Sequence, residues 1–326
     1  MAALGEFELI RRYFAAAASA APAPGVALGI GDDCALLQLG PGEQLAVSTD
    51  SQVAGVHFPT DPDPFLLAQR VLAAAASDLA AMGAAPLGFT LALTLPAADP
   101  VWLEAFARGL DAMARACGLA LIGGDTTRGP LNLNVTVFGR LPAGQALRRS
   151  GARPGDLLCI GGPTGEAAAA LPLVLGERPA RGAADQRLLA QYWTPQPQLA
   201  LGQALRGLAS AALDVSDGLL ADCGHIAAQS AVRLVIDAGR LPLSAALRAM
   251  AGERALPLAL SGGDDYVLAF TLPPEHATAL RLSGLPFHIV GRVVAGSGVQ
   301  VLDGAGRDIT PAAGGYQHFG GNDGQA

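Results

Sequence analysis

The 326-residue sequence contains no lysine, so all 21 of its basic residues are arginine. That absence excludes the P-loop, whose lysine reaches the terminal phosphates, together with Schiff-base chemistry and any lysine general base. Charge of either sign is scarce at 15%, and a net charge of −7 gives no footing for a broad nucleic-acid or anionic-membrane surface. A local cationic pocket stays open. No continuous apolar run reaches membrane-spanning length. The cysteines, Cys34, Cys117, Cys159 and Cys223, form no CxxC pair and stand near no histidine cluster at zinc spacing, and so read as buried thiols of a reducing cytosol.

The N-terminus offers two readings. Arg11-Arg12 followed by YFAAAASAA resembles a twin-arginine signal. Against it, two glutamates precede the arginines in GEFELI, and Leu4, Phe7, Ile10 and Phe14 fall at helical spacing, as in an amphipathic helix docked on a core. The expectation is a soluble cytoplasmic protein.

What is present is apolar. At 51% hydrophobic content and about 150 residues per domain, the chain is expected to form two globular domains. Strand patterns occupy 26–31, 44–49, 87–95, 119–124 and 131–140, and helical patterns 64–83 and 99–117, an α+β first half. Residues 142–156, rich in Pro, Gly and Arg, read as a linker. Beyond it, strands are expected at 156–161, 211–215, 232–237, 266–272 and 286–290, and helices at 164–175, 197–208, 216–229 and 243–250. Trp102 and Phe106 fit the core face of helix 99–117, and Trp193, in QYWTPQPQ, reads equally as loop packing or as ligand stacking. The domains are set at 1–145 and 146–319, with 320–326 as a tail.

Apolar runs repeatedly end on acids: Asp32, Asp33, Asp50, Asp125, Asp214, Asp217, Asp264 and Asp265, most of them beside Gly, Ser or Thr. Asp78 lies inside the first long helix. Taken singly, each is most simply a cap or turn residue. If they converge, two carboxylates about 4 Å apart repel by roughly 4 kcal/mol at an effective dielectric of 20, and the cluster requires cations. Without lysine these are arginines or divalent ions. Carboxylates with Ser and Thr hydroxyls form a hard oxygen set that suits Mg²⁺, and Mg²⁺ so held commonly binds substrate phosphates as well. The turns GIGDD, GGDTTRG and SGGDD would let backbone N–H groups approach phosphate, with Arg128, Arg148, Arg149 and Arg153 as bidentate partners.

The set GEFELI, GIGDDCA, STDSQVAGVHF, SDLAAMGA, LIGGDTTRGP, RSGARPGD, LDVSDGL, SGGDDY and GYQHF, in this order from about residue 5 to 319, resembles the thiamine-monophosphate kinases. These belong to the superfamily of aminoimidazole ribonucleotide synthetase and selenophosphate synthetase. The resemblance implies an α+β N-terminal domain whose sheet pairs in a homodimer, a C-terminal α/β-type domain, and acids of both halves meeting in the cleft between them. It implies transfer of the γ-phosphoryl of ATP to thiamine monophosphate, the last step to thiamine diphosphate, with several Mg²⁺ ions.

Carried over by motif, Asp33, Ser48, Thr49, Asp50, Asp78, Asp125, Asp214 and Asp217 would ligate metal. Gly124, Asp125, Arg149 and Ser216 would bind ATP, and His57, Asp264 and Tyr316 would bind the thiamine compound. The family commonly has glutamate where this chain has Asp264. No residue is assigned as a general base, because the attacking phosphate oxygen is already largely anionic, its second pKa being about 6. A sister synthetase or a Mg²⁺-dependent phosphohydrolase are the alternatives; selenophosphate synthetase is disfavoured by the missing lysine.

Overall fold

The computed structural model describes residues 6–311. It divides into two compact units. The first runs through Ala146 and also takes in Trp193–Arg206; the second holds Leu147–Tyr192 and the chain from Gly207 onward.

The first unit opens with α1 (Glu6–Leu9), which continues as a π-helical turn over Ile10–Ala15. The wider turn departs from the 3.6-residue spacing expected there. It buries Leu9, Tyr13 and Phe14, leaving Ile10 at the margin. The strand expected at 26–31 is cut short. β1 (Val26–Leu28) pairs antiparallel with β2 (Leu36–Leu37), while Ile30 makes an isolated bridge in the turn between them.

The long elements follow the patterning closely: β3 (Glu43–Val53), α2 (Pro64–Ala81), β4 (Ala85–Leu95), α3 (Pro100–Cys117), β5 (Ala120–Arg128) and β6 (Asn132–Pro142). Each long helix starts with Asp-Pro. The carboxylates of Asp63 and Asp99 accept first-turn N–H bonds, and proline occupies the first helical position, where no N–H is needed. The sheet order is β3-β6-β4-β5, with β3 an edge and β4–β5 the parallel pair. Its core includes Leu67, Leu72, Phe89, Leu93, Phe106 and Leu133. Trp102 stacks on the fully buried Phe106 with ring centroids 4.8 Å apart.

The second unit holds β7 (Leu157–Ile160), α4 (Glu166–Val174), α5 (Gly182–Trp193), β8 (Ala211–Asp214), α7 (Leu219–Ser230), β9 (Arg233–Asp237), α8 (Ala245–Ala251), α9 (Ala255–Ser261), β10 (Leu268–Leu272), α10 (Ala277–Leu282), β11 (His288–Val294) and β12 (Gly298–Leu302); α6 (Leu199–Leu205) packs in the first unit, against α2. The sheet order is β12-β9-β11-β7-β10-β8, antiparallel throughout except for β12–β9. The C-terminal ends of β7 and β8 and the start of β10 therefore lie at one end of the sheet, where the glycine-rich turns gather.

Three expectations are corrected. Trp193 ends α5 instead of lying in a loop. The helix expected from residue 216 starts at Leu219, because residues 215–218 form a turn. The segment read as a linker is packed: Leu147 and Ala152 are buried, and the Arg148 carbonyl accepts the Ala212 N–H.

Candidate active site

Alternation along β3 divides the acids and hydroxyls between two faces of the first sheet. Ser48 and Asp50 point towards the helices. There the Ser48 hydroxyl donates to the Asp78 carboxylate of α2 at 2.5 Å. Burial, and after it the charge of Asp78, pushes the Asp50 carboxyl up from 3.8 to about 6. Two acids and a hydroxyl thus converge on the helix side of β3.

Thr49 faces the other way. Its hydroxyl lies 2.8 Å from that of Thr136 and 3.2 Å from the Asn134 amide oxygen. Asp125 shares this open face, since the register aligns Ser51, Asn134, Ala92 and Asp125 across β3, β6, β4 and β5. The sheet therefore separates the side chains of Thr49 and Asp125 from Asp50 and Asp78. Gly124 has a structural reason of its own: a Cβ there would collide with the Leu91 carbonyl on the neighbouring strand. Asp33 is exposed in the turn between β1 and β2, its N–H held by Asp32 at 2.8 Å.

His57 sits in the turn after β3, and its ring folds back so that Nδ1 accepts the Val53 N–H at 3.1 Å. A backbone N–H can only donate, so Nδ1 is unprotonated and Nε2 carries the ring proton. The ring's donor in this tautomer is Nε2–H.

In the second unit, Asp214 ends β8 and is buried; Ser216 and Asp217 follow in the turn before α7. One residue of this turn's support went unread in the sequence. The buried Asp222 carboxylate accepts N–H bonds from Ser216, Asp217 and Gly218 at 3.1, 3.0 and 3.1 Å. Burial drives its carboxyl up to about 6 against the pull of those bonds. An acid in the first turn of a helix, after Ser-Asp-Gly, is the signal that could have found it.

The adjoining segment is strained. Asp264 and Tyr266 both have positive φ, 67° and 52°, unusual for residues with side chains. The Tyr266 hydroxyl donates to the Asp264 carboxylate at 2.9 Å. Between them Asp265 is buried, accepting N–H bonds from Gly165 at 2.5 Å and Ala167 at 3.4 Å, while its carbonyl accepts from the Gln191 side chain. Burial holds its carboxyl well above the ordinary range. Asp265 thus caps the N-terminus of α4. The neighbouring Glu166, equally buried, is gripped by Arg187 at 2.7 and 3.0 Å. Arg149 is exposed, and its carbonyl accepts from the Ser230 hydroxyl at 3.3 Å. Tyr316, expected beside the substrate, lies outside the described residues, as does the tail.

Among the described residues no group of three or more His, Cys, Asp or Glu side chains is spaced to hold a metal ion. The chemistry of the Asp50, Asp78 and Ser48 donors nonetheless fits a hard divalent cation: the atoms are oxygens, and an ion would compensate the burial, and after it the charge of Asp78, that raises Asp50. Among the described residues no helix is long and apolar enough to cross a membrane.

Two family descriptions match the chain: AIR synthase related protein, N-terminal domain, over residues 31–141, and AIR synthase related protein, C-terminal domain, over 153–304. The thiamine-monophosphate kinase of Escherichia coli K12 is 45% identical over 97% of this chain and 99% of its own length. The crystal structure of thiamine-monophosphate kinase from Stenotrophomonas maltophilia K279a superposes with a TM-score of 0.84 at 46% identity, covering 91% of this chain and 96% of that one. A structure described as AaThiL complexed with AMPPCP and TMP gives 0.79 at 28% identity, over 86% and 89%. On that identity over nearly its whole length, the chain belongs to the thiamine-monophosphate kinase family.

Proposed function

We propose that this chain transfers the γ-phosphoryl group of ATP to thiamine monophosphate, yielding ADP and thiamine diphosphate, as a cytoplasmic homodimer that requires Mg²⁺. Membership of the kinase family along nearly the whole chain carries this reading. The carboxylate and hydroxyl set of Ser48, Asp50 and Asp78 supports the metal requirement. In the second unit, Asp214 and Asp217 are the further ligands we assign. Asp33, and Thr49 and Asp125 on the open face, complete the proposed metal set, directly or through water. Residues 1–145 supply nucleotide, metal and dimer contacts, and 146–319 supply Arg149, Ser216 and Asp264.

Phosphoryl transfer gives a protein little covalent work; its task is positioning and charge neutralisation. Bound Mg²⁺ would neutralise charge building on the transferred oxygens. Arg149, exposed and permanently cationic, is suited to hold phosphate oxygens of the nucleotide. His57, whose ring proton lies on Nε2, donates to the phosphate of the thiamine compound in this reading. It has no need to take a proton, because the attacking oxygen already carries charge. Asp264, fixed by Tyr266, faces the thiamine ring system in this reading. The homodimer has support in β3: it is an eleven-residue edge strand whose Leu45 and Val47 are 42% and 55% exposed. The cytoplasmic setting agrees with four cysteines that are all free, although only Cys117, Cys159 and Cys223 are buried as expected and Cys34 is exposed.

Phosphorus NMR of the protein with ATP, Mg²⁺ and thiamine monophosphate tests the reading. Thiamine diphosphate and ADP should appear only in the complete mixture. Inorganic phosphate forming without the thiamine compound would identify a phosphohydrolase instead, and an inert complete mixture would point to a sister synthetase with another acceptor.

A further inference from the structure

We propose that Asp222 is a positioning residue for phosphoryl transfer: it presets the Ser216–Gly218 turn so that Ser216 and Asp217 meet nucleotide and metal without rearrangement. The inference rests on the phosphotransferase reading above. A single oxygen, Oδ2, accepts all three consecutive N–H groups of the turn, and the residue is 3% exposed, so water does not compete for them. The carbonyls are fixed from the other side: Ser216 accepts from the Asp264 N–H and Val215 from the Tyr266 N–H, both at 2.8 Å. No slack remains between the two segments. A Cβ on Gly218 would stand 2.7 Å from the Ser261 carbonyl, and one on Gly263 2.5 Å from the Ser216 carbonyl.

Three convergent backbone N–H groups ordinarily make an anion cradle. Here the protein's own carboxylate fills it. Recognition by this turn therefore falls to side chains, the Ser216 hydroxyl and the Asp217 carboxylate, and Asp222 sets where they stand. Asp222 itself touches no substrate.

The test compares wild type with Asp222→Asn and Asp222→Ala, measuring KM for ATP, KM for thiamine monophosphate, kcat and thermal unfolding. Calorimetric binding of a non-hydrolysable ATP analogue with Mg²⁺ runs alongside. Asp185→Asn serves as the control, because Asp185 is equally buried but paired with Arg178 away from this turn. A neutral oxygen is about half as strong an acceptor as a carboxylate. Asp222→Asn is therefore expected to weaken nucleotide affinity about fivefold and Asp222→Ala about tenfold or more, with KM for thiamine monophosphate unchanged. Asp185→Asn should lower the unfolding temperature and leave nucleotide affinity alone. Unchanged nucleotide affinity in Asp222→Asn and in any folded Asp222→Ala would overturn the proposal, as would an equal loss in Asp185→Asn. If Asp222→Ala does not fold, Asp222→Asn decides. Wild type inactive on thiamine monophosphate would overturn the phosphotransferase reading, while the analogue binding still decides the role of Asp222.

Discussion

At the residue scale, the site holds acids in places that burial makes unfavourable. Asp50 has the clearest consequence. Below pH 3.8 the folded and unfolded chains both carry it protonated; between 3.8 and about 6 the unfolded chain ionises while the folded chain keeps its proton. Stability therefore falls as pH rises through that window and levels off above it. Asp222, raised to the same region, adds to the same trend. For Asp50 the raised pKa corresponds to at most about 3 kcal/mol, and solvent reaching the side chain reduces this to about 1–2 kcal/mol. We predict that Asp50→Asn stabilises the metal-free protein by that amount at pH 8 and not at pH 4, read by urea unfolding. Mg²⁺ should stabilise wild type at pH 8 and the variant much less. Destabilisation of the variant at pH 8 would show that the carboxylate is already compensated. The residue scale is also where sequence reading fell shortest. Asp50 and Asp78 were legible because both follow motif and patterning. That Thr49 faces away from them depends on strand alternation, and the role of Asp222 depends on a turn whose geometry only the folded chain reveals.

At the scale of elements, the legible pieces are those with a long period and a marked start. α2 and α3 carry apolar stripes of 18 residues each and begin at Asp-Pro. The unread pieces lack such marks. α5 buries Asp185, Leu188 and Tyr192, a stripe too sparse and too polar to announce a helix. α9 contains Pro257 and is seven residues long, and β12 becomes a strand through its parallel pairing with β9. Nothing local marks α6 for the first unit; Gly202 lets it lie directly against the Ala80 backbone. Gly109 plays the same part between α2 and α3, where a Cβ would strike the backbone of Phe65. Ala at an ordinary helical position gains about 1 kcal/mol over Gly. Here the obstacle is backbone, which cannot step aside, and Gly109→Ala is expected to destabilise by about 1–3 kcal/mol. Chemical denaturation checks this, and a stabilised variant would contradict the close packing of the two helices.

At the scale of the whole molecule, the missing lysine and the family match lead to one account: phosphate chemistry without a P-loop, done by carboxylates, arginine and metal. The proposed dimer follows from an unpaired strand edge. Val47→Lys places a charge on that edge and should shift the protein from dimer to monomer in sedimentation velocity, with Asp50 and Asp78 undisturbed on the other face. A dimer that persists would mean that β3 is not the contact.

The central claim is direct transfer of the γ-phosphoryl group to thiamine monophosphate. It is tested most directly by running the reaction with ATP labelled with ¹⁸O in the three non-bridging γ oxygens and weighing the products. The account predicts thiamine diphosphate carrying all three labelled oxygens on its terminal phosphorus, with unlabelled ADP. Label released as inorganic phosphate, with thiamine monophosphate unchanged, would contradict it.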